Sequence, residues 1–235
     1  MLYLIGLGLD LKDISIKVLE AIKKSDKVYL EAYTTTFPYK IADLEKLIGK
    51  KVIVSGRKQF EDDMQTLIDG AKHQTITILI YGDPLAATTH ITIWREAEKA
   101  KVKVEIIHNN SIFNVISDTG LQLYKFGKTT SLPRWQSNYK PTSFFDIIKE
   151  NLSIKAHTLI LVDPGLSLKE ALEEIKESDK EGILKNKMII LASCLGTSKQ
   201  SIIKGDLKSL TSKASKKIDE PFSIIVPGEL HFSEE

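Results

Sequence analysis

The sequence predicts an α/β fold made of two lobes, because short apolar strands alternate with amphipathic helices along most of the chain. Such alternation is typical of a mostly parallel sheet that helices cover on both faces. The pattern changes after His108, where a long polar stretch follows. The two α/β lobes are therefore predicted to span residues 1–109 and 110–235.

In the first lobe, five β-branched or apolar runs are the predicted strands. They span residues 2–5, 27–33, 52–55, 76–81 and 102–107. Helices are predicted at residues 13–25, 42–48, 62–72 and 89–101. We expect Asp13 to cap the first of these helices and Gly49 to end the second.

In the second lobe, the polar segment 125–142 separates two groups of elements. Strands are predicted at residues 157–162, 187–193 and 223–226, and helices at residues 111–117, 143–151 and 168–178. The first and last of these strands both run into a turn, Asp163-Pro-Gly and Val226-Pro-Gly. The final Ser-Glu-Glu is expected to be a solvated tail.

Composition excludes several classes of protein. The 235 residues carry 33 basic and 31 acidic side chains, a net charge of +2 that argues against a strongly cationic nucleic-acid coat. Cys194 is the only cysteine and the five histidines lack paired spacing, so neither a disulfide nor a metal site is predicted. The N-terminus has no basic leader and no apolar run reaches about 20 residues, so we expect a cytoplasmic protein without a membrane span.

The first motif is the Gly-Leu-Gly-Leu that follows the first strand. A strand that runs into Gly6-x-Gly8 often lets a nucleotide approach the backbone, and Glu31 lies where a ribose-binding acid would sit. The third glycine of the dinucleotide fingerprint is Leu11 here, so phosphate binding is not supported. A tight turn and a cofactor whose ribose and base lie against the backbone both remain open.

The second motif is YGDPLAATTH, which follows the strand at residues 76–81. Gly82 permits close approach, Pro84 stiffens the turn, and Asp83 can accept hydrogen bonds from a ribose or an ammonium group. Read as structure alone it is a turn, with Thr88 and Thr89 capping the next helix and a helix-start role for His90.

The position of this motif favours a binding site. Open α/β sheets bind ligands at the carboxyl ends of parallel strands. The loops at residues 6–9 and 108–112 end their strands at the same edge, so three loops are expected to converge there.

Two further features have competing interpretations. Cys194 lies at a strand end and is interpreted as a small buried filler rather than a nucleophile. A cluster in the polar segment mixes cations with aromatic rings, which favours either a docking surface for a macromolecule or a solvated loop. It consists of Lys125, Lys128, Arg134 and Lys140 with Tyr124, Phe126, Trp135 and Tyr139.

Six segments carry a resemblance that runs from Met1 to His231. They read MLYLIGLGL, GDPLAATTH, IHNNSIFN, TGLQLYKFGK, PTSFFDIIKEN and IIVPGELH. This set resembles the diphthine synthases, which belong to the tetrapyrrole-methylase-like group of S-adenosylmethionine-dependent methyltransferases. Gly-Asp-Pro after a glycine-rich first loop marks the wider group, and ATTH, YKFGK and PTS are particular to the diphthine synthases.

The resemblance implies two α/β lobes of the tetrapyrrole methylase type with the cofactor cleft between them, usually in a homodimer. It implies repeated methylation of the amino group on a modified histidine of elongation factor 2. It also implies S-adenosylmethionine as methyl donor and no metal. The donor-binding residues carried over are Leu9, Asp83, Ala86, Ser111, Ile112, Val162, Leu195 and Phe222.

The chain departs from the family pattern at some of these positions. Ala86, Val162, Leu195 and Phe222 do not keep the expected side chain, so backbone groups are expected to make their contacts. The segment ASCLG replaces an ARAG-like stretch, and the chain stops soon after ELH.

Methyl transfer from a sulfonium needs orientation more than acid–base chemistry, and the sequence identifies no catalytic residue. The sequence leaves two alternatives open. One is a methyltransferase of the same fold that acts on a corrinoid or tetrapyrrole precursor, against which YKFGK and PTSFF argue. The other is a nucleotide-binding module without catalysis, based on Gly6-x-Gly8 and Glu31.

Overall fold

The computed structural model describes residues 1–213 and 218–234 and divides the chain into two compact units. The first unit is Met1–Asn114 and the second is Val115–Glu235. The lobe boundary predicted between residues 109 and 110 stays a prediction.

The first unit contains a five-stranded sheet in which every neighbouring pair of strands is parallel. Its strands are β1 (Leu2–Gly6), β2 (Lys27–Glu31), β3 (Ile53–Ser55), β4 (Ile76–Ile80) and β5 (Val104–Ile107), in the order β3-β2-β4-β1-β5. The helices are α1 (Ile16–Lys24), α2 (Ile41–Ile48), α3 (Arg57–Glu61), α4 (Met64–Ala71) and α5 (Ile91–Lys99). The short α6 (Ile112–Val115) follows at the boundary between the units.

Both faces of this sheet are covered, as predicted. Alternate residues of β1 point to opposite sides, so Leu2 and Leu4 belong to one apolar cluster and Tyr3 and Ile5 to the other. The first cluster includes residues of α4 and α5, and the second includes residues of α1 and α2.

The helix starts differ from the prediction at two places. Asp13 does not cap α1, because Asp10 caps a 3-10 turn at Leu11–Asp13 and the Ser15 hydroxyl accepts from the Val18 N–H at 3.3 Å. The helix predicted at residues 62–72 corresponds to α4, which begins two residues later, and α3 before it is a short helix that was not predicted. Gly49 ends α2 in a left-handed conformation with φ +67°, as predicted.

The second unit contains a mixed sheet with two strands that the sequence did not indicate. The strands are β6 (Thr130–Leu132), β7 (Thr158–Val162), β8 (Ile189–Ser193), β9 (Ser201–Gly205) and β10 (Phe222–Val226), in the order β6-β7-β10-β8-β9. Only β6 and β7 pair in parallel. The helices are α7 (Ser143–Ser153), α8 (Leu168–Ser178) and α9 (Leu207–Lys213), which pack on one apolar core.

The expectation of a solvated tail is wrong for Glu234. Its side chain is fully buried and pairs with Lys125 Nζ at 2.5 Å and with His157 Nε2 at 3.0 Å. The last residue, Glu235, lies outside the described residues. Within the described ranges, no helix has both the length and the apolar character to cross a membrane.

Candidate functional site

Three loops meet at the carboxyl edge of the parallel sheet, because β4, β1 and β5 are neighbours in it. Gly8 and Gly82 exchange two backbone hydrogen bonds, at 3.1 and 2.9 Å, which join the first loop to the loop after β4. A Cβ on Gly6 would lie 2.5 Å from the Gly82 carbonyl oxygen and 3.1 Å from Cβ of Asn109. The glycines of the first loop therefore allow all three loops to approach, as the sequence predicts.

Asp83 is the central acceptor of this edge. Its Oδ1 accepts the Leu85 N–H at 2.9 Å, and its Oδ2 accepts the Asn109 N–H at 3.1 Å. The same Oδ2 lies 2.8 Å from Nδ1 of His108. Asp83 therefore joins the loop after β4 to the loop after β5.

Asn109 and Asp13 are organising residues that the sequence reasoning missed. The Asn109 side-chain amide donates to the carbonyls of Gly6 and Asp13 at 3.1 and 3.0 Å. The Asp13 carboxylate accepts the N–H groups of Leu9 and Asp10 at 2.8 and 3.1 Å. An Asn two positions after a predicted strand was the signal that could have identified Asn109. The role of Asp13 depends on the 3-10 turn at Leu11–Asp13, which brings its carboxylate back to the first loop.

The first loop of this unit is not arranged to bind phosphate. The N–H groups of Leu9 and Asp10, which a phosphate would need, already donate to Asp13. Glu31 is fully buried, and its carboxylate accepts from the N–H groups of Tyr33 and Thr34 and from the Thr34 hydroxyl. The suggestion that Glu31 binds a ribose is therefore wrong, because its acceptor sites are occupied inside the fold.

The loop after Asp83 turns sharply before α5. The Ala86 N–H donates to the Asp83 carbonyl at 3.3 Å, and Ala87 adopts φ +57°, which is unusual for a residue with a Cβ. The Thr88 hydroxyl donates to the Pro84 carbonyl at 2.6 Å. This segment therefore has its own hydrogen-bonded geometry rather than a plain helix cap.

His90 occupies the N-cap position of α5, but its side chain makes no capping hydrogen bond. It is 1% exposed and lies edge-on to the rings of Tyr33 and Phe60. Burial lowers the pKa of His90, which keeps the imidazole neutral. We interpret His90 as part of the core beneath the loop.

Ser111 and Ile112 follow β5. The buried Ser111 donates its N–H to Oδ1 of Asn114 at 2.7 Å, and its hydroxyl accepts the Phe113 N–H at 3.3 Å. A Cβ on Gly82 would be 3.6 Å from the Ser111 Cβ, so these two loops are in contact. Ile112 is half-buried and begins α6.

The second sheet brings the other three predicted residues to one of its own edges. Val162 ends β7 and Phe222 begins the antiparallel β10, where Ser223 pairs with Leu161. Phe222 also pairs with Ser193, the last residue of β8, and Leu195 follows two positions later. The three residues come from distant parts of the sequence and lie at the same end of three adjacent strands.

The two Pro-Gly turns of this sheet do not lie together. Because β7 and β10 are antiparallel, Val226 pairs with Thr158 at the start of β7. The turn after Asp163 and the turn after Val226 are thus at opposite edges, and the similarity of their sequences is only local.

The cluster of cations and aromatic rings in the polar segment is largely paired. Lys125, Lys128 and Lys140 form ion pairs with Glu234, Glu150 and Glu177. The Arg134 guanidinium donates to the Gly165 carbonyl. This pairing leaves little uncompensated positive charge for an acidic partner.

Cys194 is buried and has φ +46° in the turn after β8. Burial raises the pKa of its thiol, and the Sγ donates to the Glu220 carbonyl at 3.3 Å. A raised pKa suppresses the reactive thiolate, so the interpretation as a buried filler agrees with its environment. Among the residues that the structure describes, no group of three or more His, Cys, Asp or Glu side chains could hold a metal ion.

Comparison with known proteins matches residues 1–211 to the family of Tetrapyrrole (Corrin/Porphyrin) Methylases. Diphthine synthase of Methanocaldococcus jannaschii is 39% identical, over 100% of this chain and 96% of that protein. Diphthine methyl ester synthase of Schizosaccharomyces pombe is 47% identical, over 69% of this chain and 58% of the yeast protein. The chain thus aligns with less than two thirds of the yeast relative and with nearly all of the archaeal one.

The fold comparison agrees with the sequence comparison. A crystal structure of diphthine synthase matches with a TM-score of 0.90 and 33% identity, over 100% of this chain and 93% of that chain. The α/β fold, the converging loops and the full-length relatives together lead to one assignment. The chain belongs to the tetrapyrrole methylase family, within its diphthine synthase branch.

Proposed function

We propose that the protein is an S-adenosylmethionine-dependent methyltransferase of peptidyl-diphthamide biosynthesis. Its substrate is the 2-(3-amino-3-carboxypropyl)histidine of translation elongation factor 2, and repeated methylation of the amino group gives diphthine. The observation that supports this most is the close approach of the loops at Gly6 and Gly8, together with the hydrogen bonds of Asp83, in a chain of the diphthine synthase branch.

The loops of the first unit fit a nucleoside donor without phosphates. A Cβ on Gly8 would lie 2.3 Å from Cβ of Asp13, so bare backbone is needed in the first loop. The N–H groups that would bind a phosphate are occupied by Asp13. Because the donor carries a ribose, an adenine and a methionine group but no phosphate, this arrangement suits it.

We propose eight donor-binding residues, distributed over the edges of both sheets. They are Leu9, Asp83, Ala86, Ser111, Ile112, Val162, Leu195 and Phe222. Leu9 and Ser111 are buried in their loops, and Ala86 lies in a turn that Asp83 closes. The departures from the family pattern at Ala86, Val162, Leu195 and Phe222 are compatible with binding because backbone groups there do not depend on side-chain identity.

The chemistry requires the chain to align reactants. When bound, S-adenosylmethionine supplies a methyl group on a positively charged sulfur, and the product is S-adenosylhomocysteine. The loops around Asp83 would hold it in a fixed position, which would let the attacking amine approach the methyl carbon in line. Orientation of this kind supplies a large part of the rate without a metal or a covalent enzyme intermediate.

We further propose a cytoplasmic homodimer. The family resemblance supports the dimer, and the near-neutral net charge of +2 agrees with a protein substrate rather than direct nucleic-acid binding. Light scattering in solution would then give twice the chain mass of 26.4 kDa.

Methyl transfer to elongation factor 2 tests the proposal. The purified protein is incubated with S-adenosylmethionine labelled in the methyl group and elongation factor 2 that carries the aminocarboxypropyl histidine. We expect incorporation, and none with elongation factor 2 that lacks this modification. Incorporation into a corrinoid precursor, with none into the modified elongation factor, would contradict the proposal.

The same reaction identifies the product. The archaeal relative is called a diphthine synthase and the yeast relative a diphthine methyl ester synthase. Mild alkali removes a methyl ester but not methyl groups on nitrogen. Label that resists alkali supports transfer to the amino group, and label that alkali removes entirely would contradict it.

A further inference from the structure

His108 and Asp83 form a pair that the donor-binding role of Asp83 does not explain. His108 directly follows β5, and its Nδ1 lies 2.8 Å from Oδ2 of Asp83. The His108 side chain is 65% exposed, whereas that of Asp83 is 13% exposed. The imidazole thus has one nitrogen fixed on a largely buried carboxylate while most of the ring faces solvent.

The hydrogen bonds of Asp83 determine which nitrogen of His108 carries the proton. The carboxylate is held by the N–H groups of Leu85 and Asn109, and an ionised carboxylate only accepts hydrogen bonds. Nδ1 of His108 must therefore donate, which leaves Nε2 with a free lone pair. A carboxylate in this position orients the imidazole and stabilises the cation that forms when Nε2 takes a proton.

Three other acidic residues belong to the first loop and to β5. Asp13 is linked to Asn109, next to His108, through its carbonyl oxygen, and the same loop includes Asp10. On β5, Glu105 pairs with Lys17 at 3.2 Å. Among the described residues, Asp83 is the one whose carboxylate contacts the His108 ring.

We propose that His108 is the general base of the methyl transfer and that Asp83 positions it. This inference rests on the proposed function. Nε2 of His108 removes a proton from the substrate ammonium, and the freed nitrogen lone pair forms a bond to the methyl carbon. The carbon–sulfur bond breaks with its electron pair going to sulfur, and the proton passes from His108 to water before the next transfer. The exposed ring gives the proton this route.

The decisive variant is His108→Gln, with His73→Gln as its matched control. His73 is also exposed, but it precedes β4 at the opposite end of the strand. General-base catalysis typically contributes about 100-fold or more. We therefore expect His108→Gln to lower kcat about 100-fold, with calorimetric affinity for S-adenosylhomocysteine within about twofold of the native protein. Added imidazole should restore part of the rate, and His73→Gln should behave as the native protein.

The ligand-free protein provides a readout that does not depend on activity. Nitrogen chemical shifts of His108 near neutral pH should show the tautomer protonated at Nδ1, and Asp83→Asn should alter this preference.

A tautomer protonated at Nε2 overturns the inference, as does a His108→Gln rate within about threefold of native. A rate loss that follows lost affinity for S-adenosylhomocysteine, without rescue by imidazole, would make His108 a donor-binding residue instead. If the native protein itself transfers no methyl group, the proposed function fails, and this outcome is distinct from all of these.

Discussion

The first loop of the parallel sheet depends on residues that lack a Cβ. Gly6 is packed tightly against the loop after β4. A Cβ at this position would lie 2.5 Å from the Gly82 carbonyl oxygen and 3.0 Å from Cδ of Pro84. Backbone atoms cannot move aside as a flexible side chain can. Close packing at Gly6 is therefore both a stability feature and a requirement for the geometry of the site.

Gly6→Ala tests this packing. Overpacking a tight site costs about 1–3 kcal/mol, so we expect a lower free energy of unfolding in urea and a weaker affinity for S-adenosylhomocysteine. Gly56→Ala is the control, because a Cβ there meets no atom within 4 Å and its φ of −92° suits any residue. Equal behaviour of the two variants would show that the three loops do not need close approach at Gly6.

Asp83→Ala tests the central acceptor. Its removal leaves the N–H groups of Leu85 and Asn109 without their carboxylate, and hydrogen bonds to charged groups are worth about 1–3 kcal/mol. We expect the dissociation constant of S-adenosylhomocysteine, measured by calorimetry, to rise about 5- to 150-fold. Asp69→Ala, at an exposed Asp–Lys pair on α4, should leave it unchanged. An unchanged constant for Asp83→Ala would reduce the motif to a structural turn.

For single residues, the sequence predicts a hydrogen-bond acceptor better than it predicts the groups that bind to that acceptor. Gly-Asp-Pro after an apolar run identifies Asp83, because the turn chemistry is local. His108 and Asn109 are 25 and 26 positions away, and only the neighbouring placement of β4, β1 and β5 brings them to Asp83. For Glu31 the prediction failed in another way. Its position after β2 suggested that it binds a ligand, but its carboxylate accepts hydrogen bonds from the backbone N–H groups of Tyr33 and Thr34.

Among the elements, two segments that carry the family resemblance, YKFGK and PTSFFDIIKEN, contact each other. Gly127 of YKFGK donates its N–H to the His157 carbonyl, and a Cβ on it would lie 2.2 Å from Oδ1 of Asn151. Asn151, in the helix of PTSFFDIIKEN, is buried and bonds both the N–H and the carbonyl of Lys128. These motifs thus form one packed unit on the second sheet, which their sequence separation conceals.

The buried Glu234 forms an ion pair with Lys125 of the same YKFGK segment. Burial alone would raise the pKa of Glu234, but hydrogen bonds from the backbone of Gln122 and His231 and from Lys125 and His157 lower it well below its usual range. A carboxyl whose pKa is lowered by folding stabilises the protein above the unfolded-state pKa of about 4.3. That contribution is lost as the pH falls below this value, because the unfolded chain binds the proton first.

Glu234→Gln should therefore destabilise the protein in a pH-dependent manner. We expect a loss of about 1–3 kcal/mol at pH 7, the scale of hydrogen bonds to a charged group, and a smaller difference from native below about pH 4. Urea unfolding at several pH values measures it. Glu229→Gln is the control, since Glu229 forms an exposed pair with Lys155. A difference from native that stays constant between pH 7 and pH 3 would contradict the assignment.

The strands that the sequence reasoning missed are edge strands. β6 has three residues and β9 combines exposed and half-buried positions with no buried one, so neither produces the continuous apolar run that identified the central strands. Helix α8 was predicted with its observed bounds, and the structure shows that a capping box formed by Ser167 and Glu170 fixes its start. The sequence thus predicts the bounds of an element well where residues next to it in the chain determine its ends.

For the whole molecule, the α/β class and the family were predicted from the sequence and confirmed. The direction of strands in the second sheet was not predictable, since a strand followed by a turn has the same local pattern in parallel and antiparallel sheets. This direction determines that Val162, Leu195 and Phe222 share one edge while the turn after Val226 lies at the other. The common location of these three residues in the second unit therefore emerged only from the structure, whereas the convergence of three loops in the first unit followed from parallel topology.

Amide hydrogen exchange with and without S-adenosylhomocysteine tests the account most directly. We predict slower exchange in the loops at residues 6–10, 82–87 and 108–112 and at the second-sheet edge around residues 162–163 and 194–196. The loops at residues 72–75 and 227–228, at the opposite ends of their strands, should exchange as before. Protection confined to those opposite ends, or no protection at saturating ligand, would contradict the proposed donor site.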